Sequence, residues 1–252
     1  SAASDVYKRQ LLDSGAELVE QALDSLIERG AVVQEQVANV EACYLRRLWE
    51  AECSACIRLA GLLAADTDRS AQAGRAVDEL EAQQGITYAP LQRQAVELAA
   101  RTGVLVLTGG PGTGKTTTVR GIVALFRRMG LEIVLAAPTG RAAKRMSELT
   151  GMEAQTVHRM LGMSWNDVTH QVTFQKTEKE PLEADAVIVD EMSMVDLALF
   201  SALLRALRPG TRLVLVGDAD QLPSVGAGNV FSDLIRSGRV ETIRREMTES
   251  GV

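Results

Sequence analysis

The chain has 252 residues, 46% of them hydrophobic and 24% charged, with three cysteines and a net charge of −6. That balance suits a globular protein with room for one large α/β domain and a smaller one. No apolar run approaches the ~18 residues that span a bilayer, and an odd cysteine count without a secretory leader argues against a disulfide scaffold. The expectation is a cytoplasmic protein with no membrane partner. Charge is uneven: residues 1–85 carry 8 Lys/Arg against 15 Asp/Glu, net −7, whereas residues 86–252 carry 19 against 18, net +1. The acidic total does not favour nucleic acid, yet it leaves room for a local basic groove in the second part.

Residues 1–10 join no periodic pattern and read as a disordered or non-native tail. From Leu11 to Ile27 apolar residues recur at helical spacing, and Gly30 stops that helix. Ala31–Val33 and Val40–Leu45 read as two short strands around Ala38-Asn39. A helix followed by a β-wing predicts a small, mainly helical, winged-helix-like domain over 11–85. Such units often touch DNA, but the acidic surface favours packing or partner contact. Cys53 and Cys56 share a predicted helix over 45–63. Without a second cysteine pair or a nearby histidine they read as ordinary core or surface thiols rather than a metal or redox site. A further helix over 71–84 ends at Gly85, near the predicted domain boundary.

Pro90 opens a helix that runs to Arg101. Four apolar, strand-like runs follow, each leading to a helix: Val104–Thr108, Glu132–Ala137, Ala186–Asp190 and Arg212–Gly217. This alternation predicts a parallel sheet covered by helices on both faces, with ligands at the carboxyl ends of the strands. The first run enters Gly109-Gly110-Pro111-Gly112-Thr113-Gly114-Lys115-Thr116-Thr117, which fits G-x-x-x-x-G-K-[ST]. Glycines let backbone N–H groups close around a phosphate chain, and the helix beginning at Lys115 aims its positive end at the same anion. Lys115 supplies a point charge, and Thr116 a hydroxyl for Mg²⁺. Asp190, at a strand end, is placed to hold the metal's water shell, and Glu191 to polarise an attacking water. Gln221, just past a strand end, can sense the γ-phosphate. The chemistry implied is hydrolysis of a nucleoside triphosphate with Mg²⁺, with Lys115, Glu191 and Gln221 as catalytic candidates.

Six strings occur in order: YAPLQRQAV (88–96), GGPGTGKTTT (109–118), LAAPTGRAAKRMSE (135–148), TVHRML (156–161), VIVDEMSMVD (187–196) and GDADQLPSVGAGNV (217–230). Together they resemble the RecD-like superfamily 1 DNA helicases. The resemblance implies a P-loop, RecA-like motor lobe over 86–252. In it Gln92 reads adenine, and Gln221 couples the γ-phosphate to the DNA track. Pro138, Thr139, Arg141, Thr156 and His158 are implied along a single-stranded DNA path. Thr139 can also cap the next helix, with Arg141, Lys144 and Arg145 adding positive charge.

Residues 165–181 alternate polar and apolar and read as a β-hairpin insertion. In similar helicases it works as a pin at the duplex fork. Phe174 or Trp165 could stack a base there or simply pack beneath the hairpin. Residues 11–64, above all YLRRLWEAE (44–52), resemble the small domain that precedes the motor.

The implied function is an ATP-dependent, 5′-to-3′ helicase or translocase on single-stranded DNA. Duplex ends or forks, and the subunits of a recombination nuclease, are candidate partners. The family's second motor lobe, which supplies arginines to the γ-phosphate, has no counterpart before Val252, and the stretch from Arg244 departs from the family pattern. The chain is thus expected to be the N-terminal portion of a motor. The alternative is a nucleotide- and single-stranded-DNA-binding module with little turnover, dependent on a missing lobe or partner subunit.

Overall fold

The computed structural model describes residues 16–37, 39–64, 70–110, 112–166, 171–222 and 224–245. The expected tail over 1–10, Pro111 and the stretch after Arg245 lie outside them. The chain divides into two compact units, 1–53 and 54–252. The boundary falls between Cys53 and Ser54 rather than near 85, because buried residues 55, 62, 73, 77 and 80 join the cores of the second unit.

In the first unit α1 (Ala16–Glu28) ends at Gly30, whose φ of 68° lets the N–H groups of Gly30 and Ala31 close back on the carbonyls of Ile27 and Leu26. β1 (Val32–Val37) and β2 (Val40–Leu45) form an antiparallel ribbon, with Val32 opposite Leu45 and Val37 opposite Val40. Asn39 carries φ 64°, a conformation its short polar side chain tolerates in a tight turn. β1 runs four residues beyond the expected Val33. Gln34, Glu35 and Gln36 are exposed, and a solvated ribbon does not require the apolar alternation that marks a half-buried strand.

The helix α2 (Arg46–Ala64) leads into the second unit, where α3 (Ser70–Gln84) and α4 (Pro90–Arg101) precede the sheet. Arg93 on α4 binds three carboxylates, Asp78 at 2.7 Å, Glu81 at 2.8 Å and Glu97 at 2.9 Å, which ties α3 to α4. The sheet elements are β3 (Val104–Gly109), β4 (Ile133–Ala137), β5 (Ala154–Thr156), β8 (Ala186–Val189), β9 (Arg212–Gly217) and β10 (Glu241–Arg245). Their spatial order is β10-β3-β9-β8-β4-β5, and every pairing is parallel. The helices between them are α5 (Lys115–Arg128), α6 (Gly140–Thr150), α7 (Val157–Met160), α8 (Leu197–Ala206) and α9 (Val230–Ser237).

Alternation along β3 builds the two layers. Val104 and Val106 face a core with Phe200 and Leu203 of α8, while Leu105 and Leu107 face one with Ile122 and Phe126 of α5. The fold is the expected α/β sheet with helices on both faces. It holds two strands more than the four predicted from sequence. β5 is three residues long and β10 reads ETIRR, so neither shows an apolar run. β6 (Met163–Asn166) and β7 (Gln171–Phe174) pair antiparallel, with Met163 opposite Phe174 and Trp165 opposite Val172. This hairpin begins two residues before the predicted insertion. Phe174 packs against the core near His158, whereas Trp165 is exposed. No helix among the described residues is long and apolar enough to cross a membrane.

Candidate nucleotide site and adjoining groove

The glycine-rich loop connects β3 to α5. Gly112 at φ 76° and Gly114 at φ 80° sit in the left-handed region, so the turn demands glycine there. Lys115 directs Nζ to the carbonyls of Gly109 and Gly110, the latter at 3.1 Å. Thr113 Oγ1 donates to the Gly110 carbonyl at 2.9 Å. These bonds fix the loop over a cavity of 340 Å³ lined by Gly110, Gly112–Thr116, Asp190, Glu191, Asp218 and Gln221. The far wall is α6, through Arg145, Met146, Leu149 and Thr150. Residues at i, i+1, i+4 and i+5 share one helical face.

The remaining loop candidates lie around this cavity rather than in its lining. Gly109 is buried at the strand end, and Thr117 is exposed in the first turn of α5. Gln92 stands at its edge on α4. Its Nε2 donates to the Gly114 carbonyl at 3.5 Å, and its Oε1 accepts from Ala89 N–H at 3.0 Å. Gln92 thereby caps its own helix while touching the loop.

Asp190 directly follows β8, and its Oδ1 accepts from the Glu191 N–H at 2.8 Å. Burial pushes the Asp190 carboxyl above its ordinary value, opposed by that N–H and by the charges of Lys115 and Arg145. Glu191 is one of two described non-glycine residues with positive φ, at 54°. The chain then makes a 3-10 turn, Met192–Met194, that buries Ser193. Ser193 Oγ donates to Gln221 Oε1 at 3.3 Å. Sequence reasoning missed Ser193, Asp218 and the α6 face. The first two are signalled only by adjacency to the acidic pair and to Gln221; the third needed Met146, Leu149 and Arg145 placed on a wheel.

Beyond Gln221 lies a second, more open cavity of 730 Å³, lined by Pro138, Thr139, His158, Met194, Asp196, Leu199, Gln221, Leu222, Ser224, Val225 and Gly226. Thr139 caps α6, accepting from the Ala142 N–H at 3.2 Å, and Thr156 caps α7, accepting from the Arg159 N–H at 3.2 Å. Thr156 lies outside the lining, as does Arg141, which is exposed on α6. Asp196 caps α8, and Gly226 passes so close to its carboxylate that a Cβ there would clash. Leu197 N–H also binds the Ala227 carbonyl at 3.0 Å. The loop after β9 is thus pinned to the segment after β8.

Phosphate loop and acidic strand end meet at the carboxyl edge of one parallel sheet, which defines a P-loop nucleotide-binding domain. The chain belongs to the AAA domain family, matched over residues 92–227, and within it to the RecD-like helicases. It is 40% identical over 215 residues to the RecBCD enzyme subunit RecD of Mycolicibacterium smegmatis, covering 76% of this chain and 37% of that protein. Against the ATP-dependent RecD2 DNA helicase of Deinococcus radiodurans it is 47% identical over 137 residues, covering 54% of this chain and 18% of that protein. The crystal structure of the Pif1 helicase from Candida albicans aligns with a TM-score of 0.47 and 25% identity over 64% of this chain and 40% of that one. The chain therefore spans well under half the length of the two RecD relatives.

Proposed function

We propose that this chain is the first motor lobe of an ATP-dependent DNA helicase that moves 5′ to 3′ on single-stranded DNA. The observation that carries the reading is Gln221, which lines both cavities and is held by Ser193, two residues from Glu191. One side chain thereby borders a triphosphate-sized pocket and an open groove with a helix N-cap at its wall. Lys115 and the loop amides bind the phosphates, Gln92 contacts the adenine, and Glu191 takes the proton of the attacking water. A divalent cation fits beside Thr116 and Asp190, because a carboxylate whose burial is unfavourable gains from a nearby positive charge. Bound Mg²⁺ would neutralise charge developing on the phosphates.

In the groove Pro138, Thr139 and His158 contact the DNA backbone, supported from outside the lining by Arg141 and Thr156. Fork or duplex-end recognition, and assembly with the subunits of a recombination nuclease, extend the same reading, as does a cytoplasmic location; the mycobacterial relative is named as a subunit of the RecBCD enzyme. Lys115→Ala is expected to abolish ATP binding, measured by fluorescent-nucleotide titration. Oligo-dT affinity is expected to fall steeply as salt rises. Unchanged nucleotide binding would remove the ATP assignment, and no oligo-dT binding at low salt would remove the DNA assignment.

A further inference from the structure

The helix α6 carries three cations in its first turns, Arg141, Lys144 and Arg145, and all three are exposed. Neither Arg141 nor Lys144 lines either cavity, whereas Arg145 lines the smaller one together with Lys115, Asp190, Glu191 and Gln221, and its charge acts on the Asp190 carboxyl. Among the described residues Arg145 makes no ion pair or hydrogen bond, unlike Arg93, with three carboxylate partners, or Arg205, held by Glu178. It and Lys115 are the only cations in that lining.

The direction of α6 accounts for the split. Its N-terminus, capped by Thr139, opens on the groove, and one and a half turns later its face has rotated to the phosphate loop. The helix α5 packs between α4, which carries Gln92, and α6. The two flanks of the loop therefore differ. One presents a carboxamide suited to a base, and the other presents a guanidinium among the groups suited to the end of a phosphate chain.

We infer that Arg145 binds the terminal phosphate of the nucleotide from within this lobe, and is not part of the DNA-contacting charge of α6. The inference rests on the nucleotide reading above. A guanidinium matches phosphate oxygens with paired donors, and an unpaired one at a helix surface is free to swing onto an anion. A site so equipped distinguishes a triphosphate from a diphosphate before any second lobe closes on it.

The test is competition binding on the full chain with Mg²⁺, displacing a fluorescent ADP with ATPγS or ADP. A parallel oligo-dT titration and circular dichroism as a fold check accompany it. Arg145→Ala is expected to weaken ATPγS roughly tenfold, the worth of one charge-assisted contact, while ADP changes by less than about twofold. Arg145→Lys should recover part of the loss, and oligo-dT affinity should stay at its wild-type value while Arg141→Ala lowers it. The inference is overturned if Arg145→Ala leaves the ATPγS-to-ADP ratio unchanged, or if it lowers oligo-dT affinity as Arg141→Ala does. Failure of the nucleotide reading looks different: neither nucleotide binds the wild type, or Lys115→Ala leaves both bound, and then the inference falls with it.

Discussion

At Glu191 the backbone holds φ 54° and ψ 39°, in a residue type with no preference for that region. Such a conformation costs on the order of 1–3 kcal/mol and persists only where the surroundings impose it. Here the imposing features are the Asp190 carboxylate on the Glu191 N–H and the 3-10 turn that follows. Glu191→Asn, which tolerates the left-handed region, should stabilise the protein by roughly 0.5–1 kcal/mol in chemical denaturation while, under the proposed role of Glu191, hydrolysis is lost. Loss of stability instead would show that the glutamate side chain supports the turn. Asp190 stores a second cost. Its carboxyl is raised by burial, so the folded protein holds that proton more tightly than the unfolded chain does. The cost of the carboxylate is fully present above the folded value and is relieved as pH falls from there toward the ordinary aspartate range. Asp190→Asn should therefore raise Tm at neutral pH and leave it unchanged once the wild-type group is protonated, although under the proposed metal-holding role it should abolish Mg²⁺-dependent turnover. A Tm gain that persists undiminished at acid pH would point to packing rather than charge.

Among the elements, α4 and α5 show how closely the site is framed. A Cβ on Gly121 would lie 2.8 Å from Tyr88 Oη and 2.9 Å from Val96 Cγ2, so the helix bearing Lys115 sits against α4 at glycine distance. Gly121→Ala gains helix propensity of about 1 kcal/mol but overpacks a buried seam at about 1–3 kcal/mol. The net expectation is destabilisation with weaker nucleotide binding, because α5 must move away from Gln92. A more stable variant in urea titration would show that Tyr88 yields freely. What sequence reveals follows the same physics. β3, β8 and β9 are buried on both faces and read as apolar runs, and Gly109, Gly114, Lys115 and Thr116 stand at the fixed positions of the phosphate-loop pattern. β5 and β10 stayed hidden because edge strands need no such run. Arg145 looked like one of three equivalent surface cations until the helix axis relative to the loop separated it from Arg141 and Lys144.

For the whole molecule, the charge is uneven between the units: residues 1–53 carry 5 Lys/Arg against 10 Asp/Glu, and residues 54–252 carry 22 against 23. The first unit carries a solvated ribbon and a helix whose Leu18 and Leu26 are exposed, and its sequence shows periodicity but no chemistry. The second unit gathers the polar clusters at one edge of a single sheet, as parallel strands oblige it to do. There the two cavities share Gln221, and α6 runs from the wall of one to the wall of the other. A shared boundary has a thermodynamic consequence. Whatever factor the strand in the groove applies to nucleotide affinity, the nucleotide must apply to strand affinity, since both reach the same final complex by either order of arrival. Under the proposed assignment, ATP and DNA trade equal shares of grip, and a change at Gln221 or Ser193 alters both sides of that exchange at once.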